Sequence, residues 1–345
     1  MVYFFVKWWA KIFVPLFFGD FKIIGRKKIP KDGAVILAPN HQGAFMDAVV
    51  VGSFIKKQVS FLTRSDIFNK RTIPFLSALN MQPIYRIRDG YDSLSKNEEV
   101  FKKCYELLVK NEKILLIFPE GNHAPDFYLR PLQKGTSRLA FGAKEYMGED
   151  KKLYIVPVGV NYFSHRYPAK LIINFGDSID VDDYMPAYQK NNLNGFQELK
   201  NAVEEGMKKV LILPEKTDDY EKRKSFVFQR KHEKYSFDEL REISQGEIGE
   251  IKKPPRNAFT RFLVYFFSLL NFPIYLGMQK ILGIMKDKAF YISMKFYAGC
   301  VLTFFWWLIL FTVGALTLGW RFGLLLIVAS LLFLFARKNI IGYTN

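Results

Sequence analysis

Ala34-Val35-Ile36-Leu37-Ala38-Pro39-Asn40-His41-Gln42-Gly43-Ala44-Phe45-Met46-Asp47 is the stretch that decides how this chain is read. Its first half is an unbroken apolar run, as a strand buried on both faces of a parallel sheet requires. It turns polar where a strand would hand over to a helix. A histidine there stands in a loop mouth, and a nearby carboxylate can fix its tautomer. Such a pair can take a proton from a hydroxyl group. His41 and Asp47 do not share a helical face. They meet only if His41 lies in the loop and Asp47 in the helix, with Gly43-Ala44 as the join. The plain alternative is a loop histidine and a helix-capping aspartate.

A second apolar run, Ile114-Leu115-Leu116-Ile117-Phe118, ends in Pro119-Glu120-Gly121, and Arg130-Pro131 and Lys134-Gly135-Thr136 follow. Further strands are predicted at 59–63, 82–86, 154–160 and 171–175. Helices are predicted near 44–56, 92–110, 136–147 and 196–212. The alternation gives an α/β domain with a mainly parallel sheet flanked by helices. Active sites in such sheets open at the strand carboxyl ends. His41, Arg64, Arg86 and Glu120 all fall there.

The combination resembles the lysophospholipid and glycerol-phosphate acyltransferase family. The carriers of the resemblance, in the family's order, are His41 with Asp47, Ile84-Tyr85-Arg86, Phe118 to Gly121 with Lys134-Gly135, and Val156-Pro157-Val158. Thr63-Arg64-Ser65-Asp66-Ile67-Phe68 is similar to the family's basic-acidic-apolar-Phe segment. The resemblance covers about residues 20–180. The chain departs from the pattern twice. Five residues separate His41 from Asp47, one more than usual, and Asn122-His123 replace the common Thr-Arg.

The resemblance implies a glycerolipid acyltransferase-like fold and an acyl transfer needing no metal, cofactor or covalent acyl-enzyme. The donor it implies is acyl-CoA or acyl-carrier protein. The acceptor is a phosphorylated glycerolipid, 1-acylglycerol 3-phosphate or glycerol 3-phosphate. Another lyso-lipid acceptor, or a silent lipid-binding scaffold, are the competing readings. His41 is then the general base and Asp47 holds the imidazole, as in a triad without the serine. Glu120 positions the acceptor, and Gly121 lets backbone N–H groups approach it. Arg64 and Arg86 are candidates for the acceptor phosphate because guanidinium makes forked, charge-assisted contacts. Arg130 and Lys134 stand in for the missing arginine of the third block. His123 reads as a loop residue.

Half of the residues are hydrophobic, 17% are aromatic, and the formal net charge is +17. Nucleic-acid binders rarely carry long uncharged apolar runs beside such a charge. A surface meeting anionic lipid explains both traits. Residues 296–336 contain a single charge, Arg321, and read as a transmembrane hairpin broken at 319–323. Basic residues on both flanks place its ends, and the catalytic domain, on the cytoplasmic face. Residues 262–279, interrupted by Asn271 and Pro273, read as interfacial or re-entrant. The aromatic N-terminus reads as an in-plane membrane helix with Lys7 and Lys11 on one stripe. The expected domains are an amphipathic helix at 1–20, the acyltransferase domain at 21–214, a solvated, charged helical linker at 215–256 and a membrane segment at 257–345.

Overall fold

The computed structural model describes residues 1–85, 96–110, 113–164, 170–230, 235–249 and 258–344. Two compact units emerge. One comprises Met1–Val14, Lys22–Asn161 and Leu171–Tyr220; the other comprises Pro15–Phe21, Tyr162–Lys170 and Glu221–Asn345.

The first unit is built on helix α1 (Val2–Phe17), strands β1 (Asp20–Ile24) and β2 (Ala34–Pro39), α2 (Phe45–Ser53), β3 (Gln58–Arg64), α3 (Ile73–Ala78) and β4 (Met81–Ile84). The chain continues through α4 (Lys96–Val109), β5 (Lys113–Leu116), α5 (Gly135–Met147), β6 (Leu153–Tyr162), β7 (Lys170–Phe175), β8 (Ile179–Asp180), α6 (Met185–Lys190) and α7 (Asn192–Val210). The sheet runs β1-β7-β6-β2-β5-β3-β4, with β8 beside β6. β2 pairs in parallel with both β5 and β6, β3 in parallel with β5 and β4, and β6 antiparallel with β8. Every residue of β2 is buried, so its apolar run has no polar face to alternate with.

Because β5 and β3 lie on one side of β2 and β6 on the other, the strand order reverses at β2. A crevice opens at such a reversal, outside the carboxyl ends. The loop after β2 carries His41, and the loop after its neighbour β5 carries Glu120. The expected strands and helices therefore stand where the apolar periodicity puts them. The exposed or half-exposed elements β1, α3, α6 and β8 did not announce themselves.

α1 corrects one expectation. Tyr3, Lys7, Ala10 and Val14 form its buried stripe, and Phe4, Phe5, Trp8, Ile12 and Phe13 face outward. Lys7 is thus turned inward and does not share an interfacial stripe with Lys11. Its Nζ donates to the carbonyls of Lys57 at 2.8 Å and Lys56 at 3.3 Å, and the Tyr3 hydroxyl accepts the Val59 N–H at 2.8 Å. Burial, then the nearby Lys11, lower the Lys7 ammonium to about 8.

In the second unit, α8 (Tyr220–Phe228) and α9 (Phe237–Gln245) fall within the expected solvated linker. They bury Phe226, Val227, Phe237 and Leu240, so this segment packs instead of running free in solvent. Beyond it lie α10 (Ala258–Phe266), α11 (Phe272–Ile284), α12 (Tyr291–Leu318) and α13 (Trp320–Thr344). Lys288–Leu318 and Trp320–Ile340 are long and apolar enough to cross a membrane. The second is longer than the sequence break suggested, because only Gly319, at φ 91°, interrupts the two helices. Both present outward rows of large apolar side chains, among them Phe304, Leu308, Leu325 and Leu332. Buried core helices would not.

α10 and α11 are bent by 47° across their break. The polar groups freed there are taken up locally. Asn271 and Ser330 exchange two hydrogen bonds, Asn271 Nδ2 to Ser330 O at 3.0 Å and Ser330 Oγ to Asn271 Oδ1 at 2.6 Å. Trp307 Nε1 donates to Ser330 Oγ at 2.9 Å and Trp306 Nε1 to the Leu270 carbonyl at 3.0 Å.

Candidate active site

The loop between β2 and α2 is held at its root by Asn40. This buried side chain donates to the Val160 carbonyl at 3.2 Å and accepts the Val160 N–H at 2.7 Å, which ties the end of β2 to β6. His41 follows, with both of its backbone groups bound. Its N–H donates to Glu120 Oε1 at 2.7 Å, and its carbonyl accepts from Ala124 N at 3.2 Å and from the Arg130 guanidinium at 3.1 Å. The side chain has little freedom either. Its ring stacks on Phe118, centroids 3.7 Å apart and planes 13° apart, and Nδ1 lies 2.9 Å from Asp47 Oδ2.

Asp47 is fully buried in the first turn of α2, where a negative charge is favoured by the helix dipole. The same Oδ2 accepts the Gly43 N–H at 2.8 Å. The loop closes through a positive φ, and this falls on Ala44 (φ 48°, ψ −123°), not on the glycine before it. Non-glycine residues adopt that region at a conformational penalty. α2 is buried on all sides from Met46 to Ser53, so its tertiary packing holds the strained join in place.

Glu120 and Arg130 form the second layer. Arg130 Nε lies 2.6 Å from Glu120 Oε2, and the same guanidinium donates to the Asn122 side chain and carbonyl. Burial pushes the Glu120 carboxyl up to about 7. The Arg130 charge and the two backbone N–H groups of His41 and Arg130 oppose the shift, and Asp47 adds to it. Gly121 has φ 73°, and a Cβ there would stand 3.0 Å from Gln133 Cγ, so a side chain is disfavoured by backbone and by space.

The residues expected at the site take the following places. Glu120 and Arg130, expected at the acceptor, face inward and brace the backbone of His41. Arg64 is partly exposed and pairs with Asp66 two residues on. Arg86 lies outside the described residues. Lys134 is exposed at the N-cap of α5. Behind it Thr136 is buried in the first helical turn, its Oγ1 without a partner among the described residues. His123, read as a loop residue, brings its ring to 5.5 Å from that of His41, at 85°. The stacking role of Phe118 is not visible in its motif; the signal for it is its place one residue before the turn that carries Glu120.

Residues 20–161 match the family model described as Acyltransferase. These residues form an acyltransferase domain. The match takes in β1 through most of β6, and so includes His41, Asp47, Glu120, Arg130 and Lys134. The crystal structure of the 1-acyl-sn-glycerophosphate acyltransferase PlsC from Thermotoga maritima is similar to this acyltransferase at 20% sequence identity. The similarity covers 59% of this chain and 76% of that one, with a TM-score of 0.42.

Proposed function

We propose that this acyltransferase is a membrane-bound enzyme of glycerophospholipid synthesis. It transfers a fatty acyl group from acyl-CoA or acyl-carrier protein to the free hydroxyl of 1-acylglycerol 3-phosphate or glycerol 3-phosphate. The observation that carries the reading is the 2.9 Å contact between His41 Nδ1 and Asp47 Oδ2, made in a loop at the carboxyl edge of a parallel sheet. With Nδ1 engaged by a buried carboxylate, Nε2 is the nitrogen left to accept a proton.

The acceptor oxygen attacks the thioester carbonyl as His41 Nε2 takes its proton. Asp47 stabilises the imidazolium that forms. The tetrahedral intermediate collapses with cleavage of the C–S bond, and the departing thiolate takes the proton back from His41. Atoms and charges balance without a further reactant.

Lys134 and the first turn of α5 suit the acceptor phosphate, because a helix N-terminus offers N–H groups and a partial positive charge. Arg64 and Arg86 are the further cations proposed for it. The two apolar helices would hold the domain on the cytoplasmic side, given the basic residues at both flanks.

The test is incubation of the full chain in lipid vesicles with acyl-CoA or acyl-carrier protein and a panel of acceptors. The panel is glycerol 3-phosphate, 1-acylglycerol 3-phosphate and an uncharged monoacylglycerol, with products read by mass spectrometry. An acylated phosphate product supports the proposal. Acylation of the uncharged acceptor alone overturns the acceptor assignment, and absence of any product overturns the activity in favour of a lipid-binding scaffold.

A further inference from the structure

α3 is a helix turned inside out. Of its six residues only Leu76 is buried; Ile73, Pro74, Phe75, Ser77 and Ala78 are exposed, Ile73 at 45% and Phe75 at 54%. Ile67, in the loop leading to it, is exposed as well. Between Ile67 and Ala78 the sequence carries Lys70 and Arg71, both exposed, and no acidic residue. Apolar side chains pushed outward beside cations are costly in water unless something covers them.

The turn that presents them is rigid. Asn69 Oδ1 accepts the N–H groups of Arg71 at 3.0 Å and Thr72 at 3.1 Å, and Thr72 Oγ1 donates to the Ile67 carbonyl at 2.6 Å. Little conformational freedom is left to lose when the surface is covered.

We propose that the segment from Ile67 to Ala78 is a membrane-docking wedge. Ile67, Ile73 and Phe75 enter the boundary between headgroups and acyl chains of an anionic bilayer, and Lys70 and Arg71 meet the lipid phosphates. Two features select lipid over another occupant. The charge of the wedge is purely positive, complementary to anionic headgroups. The same chain carries two helices long and apolar enough to cross a membrane, so lipid is a surface this protein is fit to meet.

The wedge also has a place in the chemistry. It follows β3 directly, and β3 ends at the carboxyl edge of the sheet where His41 stands. Docking through it turns that edge toward the lipid, so an acceptor with a long acyl chain can reach His41 without crossing water. The inference rests on the membrane-anchored reading above, and the experiment separates the two.

The full chain, with Cys300→Ala and one added cysteine at a time, is labelled with an environment-sensitive fluorophore in vesicles of phosphatidylcholine and phosphatidylglycerol. Cys104 is buried, with its thiol pushed up to about 12, and stays unlabelled. The added sites are Phe75→Cys in the wedge, Glu198→Cys on exposed α7 and Leu308→Cys in α12. The expected result is quenching of the Phe75 and Leu308 labels by spin-labelled lipid and of the Glu198 label by aqueous iodide. A Phe75 label open to iodide beside a lipid-quenched Leu308 label overturns the wedge and leaves the anchor standing. A Leu308 label open to iodide overturns both. A Phe75 label shielded from both quenchers overturns lipid as the occupant and assigns the face to a protein contact. The paired substitution Ile73→Ser with Phe75→Ser should raise KM about tenfold for a long-chain acceptor in vesicles. It should leave turnover of a water-soluble short-chain acceptor unchanged, and an equal loss on both acceptors overturns the proposal.

Discussion

The carboxylate of Glu120 accepts the backbone N–H of His41 at 2.7 Å, so the loop after one strand holds the main chain of the proposed base on the strand beside it. β2 and β5 are parallel neighbours, which makes this contact a consequence of sheet order. The imidazole is then set from three directions: Glu120 at the backbone, Phe118 against the ring face, and Asp47 at Nδ1. Such a fixed arrangement places a proton acceptor without reorganisation during the reaction.

The first prediction follows from that placement. His41→Ala should lower kcat by about 10² to 10⁴-fold, the range of general-base catalysis, in a chain that still folds but melts lower because buried Asp47 loses a partner. Asp47→Asn should be comparably damaging, because an amide no longer stabilises the imidazolium or selects the tautomer. Steady-state rates and thermal melts of both variants check this. A His41→Ala preparation with near-normal turnover would remove His41 from the chemistry.

Glu120 supplies a pH dependence. Its folded carboxyl titrates at about 7, above the ordinary 4.5, chiefly because it is buried. A raised pKa means that the folded state holds this proton more tightly than the unfolded chain. The associated stability is present in full below pH 4.5 and is lost as pH rises through about 7. Denaturant midpoints should therefore decline across this window in the parent chain, and Glu120→Gln should flatten the decline. An identical slope in both would show that another group titrates there.

Arg130 and Glu120 should behave as a coupled pair. Removing one partner leaves a buried charge uncompensated, at a cost of about 3–5 kcal/mol. Arg130→Met should thus be strongly destabilising, and Arg130→Lys should not restore the parent, since an ammonium cannot span Glu120, Asn122 and the His41 carbonyl together. The double variant Arg130→Met with Glu120→Gln should recover part of the loss. A double variant as unstable as the sum of the singles would show that the two side chains are not energetically coupled.

The sequence made the sheet legible because its central strands are buried on both faces and read as plain apolar runs. His41 and Asp47 were legible for the same reason: the end of one such run fixed where the loop must fall. What stayed hidden depended on tertiary contacts. Arg130 looks like a free cation until the buried Glu120 is placed beside it. Lys7 looks interfacial until the carbonyls of Lys56 and Lys57 stand over α1. α3 was not legible because six residues are too few to show a helical period, and most of its apolar side chains face out.

α1 provides the last prediction, since it packs one face inward and presents an apolar surface on the other. Tyr3, Lys7, Ala10 and Val14 pack inward, and Lys7 satisfies two carbonyls in the turn that follows α2. Lys7→Met should leave those carbonyls without their donor and lower unfolding stability by about 1–3 kcal/mol. Phe5→Ser with Trp8→Ser alters only the outward face. It should keep the parent melting temperature and weaken binding to vesicles in a chain that ends before the apolar helices. Denaturation and vesicle co-sedimentation separate the two faces. If the outward pair destabilises the fold while Lys7→Met does not, the inward and outward assignments of α1 are reversed.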